Sequence, residues 1–470
     1  MAKFSKLLRR LFSRSERQPA TQRKPKTVLF HPHSVPGSVN SLLVIANRLK
    51  EAGHNTVFLL TEPIRYVDEL EKKGHLVYDC TTDSMVPSMS PPDHDPRLEE
   101  LIDNLKQGRG DHDLGVMYYY DRLIPDFCDK ALNYEAVADR KIEQIKPDLI
   151  ISDSPVGMPS LHYPRAYVNG SIIPYILVWS AGPLGLSPAD KLNSGLKTSP
   201  NRAADNRFRQ SAKYFQKAMW KAQAKYRERW CELVKSTGHQ LPKDRPICAP
   251  TSVHLNVLVC PSELYYDADY DFSHCFKDWL RVDCLIRNPN PGTYGIPLRL
   301  MIMRGKLIYF SLGCYGCLDV SLMKRLIEIF STLPHRFIVS LGPKANEYLP
   351  LPSNMVGSEY VDQLQVLNTV DLVITNGGNM TIAEALYFGL PSLVLPLFGD
   401  QFSNASKLAD EELGMILDPF TCTQGELIGC INYLLQKTGS PRMNEVKRRM
   451  RQAAAKPDLM NAIQNFLDQV

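Results

Sequence analysis

The 470-residue sequence lacks the features that would place it in a membrane or secreted class. No stretch approaches the roughly 18 to 20 consecutive apolar residues that are needed to cross a bilayer. After Met1 the apolar residues are interrupted by Lys6, Arg9, Arg10 and Arg14, so a secretory h-region is also missing. The 11 cysteines are scattered and odd in number, which excludes a small disulfide-stapled fold. We therefore expect reduced thiols, no metal site and a cytoplasmic location.

The composition is that of an ordinary folded protein. Apolar residues make up 44% and charged residues 22%, and the length exceeds what one hydrophobic core usually serves, so two domains are expected. The formal net charge is +5, but residues 1–26 alone hold nine Lys or Arg and one Glu. We interpret this segment as a disordered leader, with weak contact to an anionic membrane surface as the alternative. It lacks the run of stacking residues used in nucleic-acid binding, so no nucleic-acid partner is expected.

The first half of the chain alternates short apolar runs with helical patterns. Residues 28–30 and 56–60 predict strands, and residues 39–50 between them predict a helix. Such a strand–helix–strand unit is typical of a parallel sheet. Further elements are two strands, an irregular excursion and a long amphipathic helix whose aromatic residues are expected in the core. They cover residues 149–151, 175–178, 84–112 and 203–238.

The Pro-rich and Gly-rich stretch 288–298 predicts a linker between two domains. Beyond it, strands alternate with helices again, which indicates a second doubly wound domain. The predicted strands cover 306–312, 336–341, 372–375 and 391–396, and the predicted helices cover 319–332, 361–368 and 382–388.

Two turns that follow predicted strands carry candidate binding residues. The first holds Ser311, Gly313 and Cys314, where a glycine lets the backbone approach a phosphate. The second, residues 376–381, enters a helix through two glycines and exposes N–H groups to an anion. Asp400 and Gln401 after the next strand can bind sugar hydroxyls. Each turn alone also fits a plain surface turn, but the combined spacing favours a nucleotide-sugar site.

The segment NGGNMTIAEALYFGLPSLVLPLFGDQFSNA resembles the donor-binding signature of UDP-glycosyltransferases. The segments PDLIISDSP and SAGPLGL are similar to the acceptor domain of that family. The resemblance implies an α/β fold of two facing Rossmann-like domains, the GT-B type, with the active-site cleft between them. Residues 27–287 would bind the acceptor and residues 299–454 the UDP-sugar. Residues 455–470 would form a helix that crosses back to the first domain.

The resemblance also implies roles for individual residues. Tyr360 would stack on uracil, Gln363 would hold the base or ribose, and Glu384 would bind the ribose hydroxyls. The sugar would contact Asp400 and Gln401. The residues expected along the diphosphate are Asn376, Gly377, Gly378 and Thr381, with Ser311, Gly313 and Cys314 nearby.

Three positions depart from the family pattern. Asn376 replaces a histidine and carries no positive charge. Met380 replaces an asparagine or glycine, and the neighbouring Asn379 is expected to compensate. Ser38 occupies the position of the histidine that deprotonates the acceptor, although its partner Asp153 is present. General-base catalysis is worth about 10²- to 10⁴-fold, so this departure matters most. Asp153 acting alone on an acidic acceptor, or His31 or His33 reaching in, are the alternatives.

Two hypotheses of function follow. The first is an inverting UDP-dependent hexosyltransferase that conjugates, and so detoxifies, small lipophilic acceptors, with UDP-sugar as co-substrate and no resident cofactor or metal. The second is a catalytically weak or inactive relative that binds UDP-sugar or a lipophilic ligand. Ser38 is the residue that separates them, and Asn376 and Met380 favour the second.

Overall fold

The structure is a computed structural model. It describes residues 24–33, 35–61, 67–82, 112–153, 158–163, 172–182, 202–241, 247, 252–265, 279–287 and 295–469. The predictions made for the leader, for the excursion over 84–112 and for most of the linker lie outside the described residues.

The first domain is built on a parallel sheet of seven described strands in the order β3-β2-β1-β4-β5-β6-β7. Each crossover runs through a helix or through segments outside the described residues. The strands are β1 (Thr27–Pro32), β2 (Asn55–Leu60), β3 (Leu76–Asp79), β4 (Leu149–Asp153), β5 (Tyr175–Trp179), β6 (Leu255–Val259) and β7 (Trp279–Val282). The helices are α1 (Pro36–Glu51), α2 (Val67–Lys72), α3 (His112–Ile145), α4 (Pro159–His162) and α5 (Arg202–Ser236).

The long helices α3 and α5 pack against each other and supply most of the aromatic core of this domain. On α5, Phe215, Met219, Tyr226 and Trp230 are buried, as the aromatic spacing predicts. Trp220 is the exception, because its side chain is 74% exposed on the opposite face of the helix. These aromatic residues therefore form the core.

The second domain is a parallel sheet of six strands in the order β10-β9-β8-β11-β12-β13. The strands are β8 (Leu307–Ser311), β9 (Arg336–Ser340), β10 (Met355–Ser358), β11 (Leu372–Thr375), β12 (Ser392–Val394) and β13 (Gly414–Ile416). The helices are α6 (Leu298–Ile302), α7 (Gly313–Gly316), α8 (Val320–Ser331), α9 (Gln363–Leu367), α10 (Asn379–Phe388), α11 (Gln401–Asp410), α12 (Gln424–Lys437), α13 (Pro441–Ala454) and α14 (Asp458–Gln469). The predicted fold of two doubly wound parallel domains is confirmed.

The last two helices and α10 join the domains. On α14, Leu459, Ile463 and Leu467 are buried in the core of the first domain beside α1. On α13, the Arg449 guanidinium donates to the carboxylates of Glu263 and Asp283 in the first domain. These contacts hold the carboxyl ends of the two sheets opposite each other.

Candidate active site

Hydrogen bonds cross the cleft between loops that follow β5 and β6 and loops of the second domain. The backbone N–H of Gly182 donates to Oδ2 of Asp400 at 2.7 Å. The side-chain amide of Asn379 donates to the carbonyls of Ser180 at 2.8 Å and Val259 at 2.7 Å. In parallel α/β sheets, ligands bind outside the carboxyl ends of the strands, and both sheets present those ends to this cleft.

The two unusual residues at the start of α10 bind the first domain. The expectation that Asn379 compensates for Met380 at the phosphate turn is wrong, because both donors of its amide are used on first-domain carbonyls. Met380 is buried against the first domain, and Ser41 Oγ donates to its sulfur at 3.4 Å. A Cβ on Gly37 would lie 3.3 Å from Met380 Cγ. The β1–α1 turn therefore faces the N-terminus of α10.

The two predicted phosphate turns lie side by side, because β8 and β11 pair with Ser311 beside Thr375. Gly313 and Gly377 have φ angles of 70° and 89°, in the left-handed region that favours glycine. The Asn376 side chain lies against Gly313, where an added Cβ would come within 2.9 Å of Nδ2. The N–H groups of Gly313 and Gly377 donate to Ser311 Oγ and Thr375 Oγ1, both at 3.3 Å, so neutral side chains line this part of the site.

The residues expected to hold the nucleoside form one hydrogen-bonded group. Gln363 Nε2 donates to Oε2 of Glu384 at 2.5 Å and to Thr381 Oγ1 at 3.4 Å, while Tyr309 donates to Gln363 Oε1 at 3.2 Å. Burial raises the pKa of the Glu384 carboxyl to about 7, although Gln363 and a nearby arginine oppose the rise. Tyr360 is 40% exposed, so its ring is accessible for stacking.

Arg287 is a site residue that the sequence pattern did not reveal. Its Nη2 donates to Asp362 Oδ1 at 2.8 Å, and both side chains are 3% exposed. Burial lowers the pKa of Arg287, but Tyr360, Asp362 and Glu384 reverse that effect and raise it. The arginine thus adds a buried positive charge beside Tyr360 and Glu384, two of the residues expected to hold the nucleoside. Its only sequence signal is an arginine at the edge of the Pro-rich linker.

The two residues expected to bind the sugar, Asp400 and Gln401, accept hydrogen bonds from backbone N–H groups of the protein. Gln401 Oε1 accepts hydrogen bonds from the backbone N–H groups of Leu397 at 2.9 Å and Phe398 at 3.2 Å, so this side chain shapes its own loop. Asp400 accepts from Gly182, and burial raises its pKa to about 6 against that hydrogen bond. A donor sugar would meet Asp400 at the contact between the two domains.

Ser38 lies at the predicted catalytic position but is 1% exposed. Its hydroxyl accepts from the His33 backbone N–H at 2.9 Å and donates to the carbonyl of Asp153 at 3.2 Å. Burial raises the pKa of the Asp153 carboxyl, while the nearby Ser180, Ser38 and His33 oppose the rise. Oδ2 of Asp153 is buried without a hydrogen-bond partner among the described residues. Ser38 therefore fixes the turn.

Cys314 and Cys317 form a C-x-x-C pair at the first phosphate turn. The description of the cysteines as scattered overlooks this pair. Cys314 is exposed, whereas Cys317 is buried and its thiol donates to the Cys314 carbonyl at 3.4 Å. Among the residues that the structure describes, no group of three or more His, Cys, Asp and Glu side chains could hold a metal ion. Within the same residues, no helix is long and apolar enough to span a membrane.

Comparison with known proteins finds similarity to glycosyltransferases. The family model for the glycosyltransferase family 28 C-terminal domain matches residues 336–463. An uncharacterised UDP-glucosyltransferase, YojK of Bacillus subtilis strain 168, is 27% identical over 113 residues, which is 24% of this chain and 28% of that protein. UDP-glucosyltransferase 2 of Dactylopius coccus is 26% identical over 178 residues, 37% of this chain and 34% of that protein.

Residues 336–463 therefore match a glycosyltransferase domain, and the chain is similar to UDP-glucosyltransferases. Among solved structures, the glycosyltransferase of kitacinnamycin superposes with a TM-score of 0.61 at 19% identity, covering 94% of this chain and 98% of its own. Spinosyn forosaminyltransferase SpnP gives 0.59 at 18% identity, covering 95% and 100%. The sequence matches span about a third or less of the curated relatives' own length. The solved structures show that the chain has the GT-B fold.

Proposed function

We propose that the chain is a UDP-glycosyltransferase that moves a hexosyl group from a UDP-sugar to the hydroxyl of a small lipophilic acceptor, with inversion at the anomeric carbon. The observation that carries the proposal is the hydrogen-bonded group of Gln363, Glu384 and Thr381, beside the accessible Tyr360 ring and next to the two glycine turns. This order matches a base, a ribose and a diphosphate in succession. UDP-sugar is the co-substrate, and no resident cofactor or metal is invoked.

The chain supplies positioning and charge stabilisation in this reaction. Glycine-lined turns offer backbone N–H groups to the diphosphate, whose negative charge grows as UDP leaves. Holding donor and acceptor in one cleft makes the displacement effectively intramolecular. Asp400 at the domain contact would orient the sugar through its hydroxyls.

A second candidate is a protein that binds UDP-sugar with little turnover. It is supported by Ser38, whose hydroxyl is buried and used in the turn, and by Gln401 and Asp400, which already have protein partners. Under this alternative, UDP and UDP-sugars stabilise the chain but no UDP is released in the presence of an acceptor.

Calorimetric titration with UDP, followed by a UDP-release assay on phenols and alcohols, separates the two candidates. Tyr360→Ala should weaken UDP binding by about 1 to 3 kcal/mol, the usual value of a base–aromatic stack. Tyr433→Ala is the matched control, since Tyr433 is 47% exposed on α12 and belongs to no predicted site. Binding without turnover supports the second candidate, and an absence of UDP binding contradicts the donor site itself.

A further inference from the structure

We propose that His33, paired with Asp153, is the general base of this UDP-glycosyltransferase and replaces the histidine that is missing at Ser38. The inference rests on the proposed transferase function. His33 lies five positions before Ser38, directly after β1, so the usual motif position does not reveal it.

The backbone fixes His33 next to Asp153. Its N–H donates to the carbonyl of Asp153 at 2.8 Å and to Ser38 Oγ at 2.9 Å. Strands β1 and β4 pair with Pro32 beside Asp153, which brings His33 to the carboxyl end of β4. The edge of its ring meets Phe127 on α3, with centroids 4.8 Å apart. These contacts fix His33 at the carboxyl ends of β1 and β4.

The other candidates for the base are committed elsewhere. The His31 ring is 3% exposed and its two nitrogens lie 3.2 Å from Ser152 Oγ and 3.0 Å from Thr61 Oγ1. Ser38 is buried with its hydroxyl engaged in the turn. His33 is half-buried, so part of the residue remains exposed to solvent.

Asp153 gives His33 the electrostatic support that a base requires. The carboxyl is buried, its Oδ2 has no hydrogen-bond partner among the described residues, and burial raises its pKa. A positive charge on His33 acts against that rise, so a proton arriving on the imidazole stabilises the ionised carboxyl. The interaction between the two side chains is therefore more favourable after proton transfer, when His33 is positively charged and Asp153 is ionised, than before it.

The step balances without another reactant. The acceptor oxygen forms a bond to the anomeric carbon, and its proton passes to the neutral His33 imidazole. The bond between that carbon and the β-phosphate oxygen breaks, and its electron pair leaves with UDP. Gly37 lies at the start of α1, shortly after His33, and contacts Met380 at the start of α10. The base therefore lies on the side of the first domain that faces the phosphate turn.

The test compares His33→Gln, which retains the backbone N–H, with His31→Gln as the matched control. For an alkyl alcohol acceptor, His33→Gln should lower kcat by about 10²- to 10⁴-fold while the Kd for UDP stays unchanged. For p-nitrophenol, which gives up its proton readily, the loss should be much smaller. His31→Gln should lower the melting temperature and leave the rate per folded molecule within a few-fold.

Asp153→Asn should also lower kcat for the alkyl alcohol, and it should add little to the loss in His33→Gln, because the two residues act as one pair. Equal losses on the alcohol and the phenol, or a fully additive loss in the double variant, overturn the assignment of His33 alone. If the unmodified chain binds UDP but releases none from a UDP-sugar with any acceptor, the transferase function is overturned, and the base with it.

Discussion

Gly182 and Asp400, which lie 218 positions apart in the chain, meet across the cleft through a 2.7 Å hydrogen bond from backbone N–H to carboxylate. A Cβ added to Gly182 would lie 2.7 Å from Asp400 Cβ, closer than the two atoms can approach. Gly182→Ala should therefore separate the loop from Asp400. Hydrogen bonds to charged groups contribute about 1.5 to 3 kcal/mol, and we expect a loss of that size in the free energy of unfolding at pH 7.5.

Urea unfolding measures this loss, and small-angle scattering reports whether the cleft widens. Gly429→Ala is the matched control, because Gly429 is exposed within α12 and an added Cβ would meet nothing within 4 Å. That change should leave stability unchanged or raise it by up to about 1 kcal/mol. Equal stability of Gly182→Ala and the unmodified chain would contradict a structural role for the cross-cleft bond.

The buried ion pair of Arg287 and Asp362 should be the most sensitive contact of the nucleoside region. Arg287→Met leaves the Asp362 carboxylate buried without its cation, which costs about 3 to 5 kcal/mol. The control is Arg229→Met, because Arg229 and Glu232 form an exposed pair at 2.9 Å that contributes at most about 1 kcal/mol. Adding Asp362→Asn to Arg287→Met should recover part of the loss. Similar unfolding free energies for the two arginine variants would refute this ranking.

The fold was predictable because its central strands are buried on both faces and read as apolar runs, as in β4 and β11. The edge strands β3, β7, β10 and β13 escaped prediction, since each has at most four residues and is only partly buried. The interior strand β6 was also missed, although it is buried throughout. Helix α3 was missed for another reason. Pro125 signals a break, yet the helix continues through it, because packing against α5 outweighs the local preference.

The sequence predicts the types and spacing of the candidate site residues but not the partners that their side chains contact. The sequence has an amide at Asn379, one position before the asparagine of the signature, and only the folded chain brings the Ser180 and Val259 carbonyls to it from 199 and 120 positions away. In the same way, the motif position pointed to Ser38, while strand register brought His33 to Asp153. Contacts between residues so distant in sequence depend on tertiary packing, which a local pattern does not encode.

Glu384 should make stability depend on pH around neutrality. Its pKa rises from 4.5 to about 7 in the folded chain, so the folded state holds this proton more tightly than the unfolded state. The contribution of Glu384 is therefore most favourable below pH 4.5 and is lost as the pH rises to about 7, with a total of roughly 3 kcal/mol. Glu384→Gln should gain stability relative to the unmodified chain at pH 8 and little at pH 4.5.

Denaturant unfolding at several pH values checks this difference, with exposed Glu347→Gln as the control. Binding should follow the opposite trend. If Glu384 accepts hydrogen bonds from the ribose hydroxyls, its ionised form binds UDP more tightly, and affinity should rise between pH 6 and pH 8. A pH-independent difference between Glu384→Gln and the unmodified chain would contradict the raised pKa.

Cys314 offers a test of the diphosphate position that needs no turnover. It is exposed at the first phosphate turn, whereas Cys317 three positions later is buried. Iodoacetamide should therefore modify Cys314 faster than Cys317, and saturating UDP should slow the reaction of Cys314 several-fold by covering its thiol.

The half-buried Cys231 on α5 is the internal control, since it belongs to no predicted site and its rate should not change. Mass spectrometry of the digested protein gives all three rates from one sample. If UDP raises the melting temperature but leaves Cys314 equally reactive, the nucleotide binds away from this turn and the assignment of Cys314 is wrong.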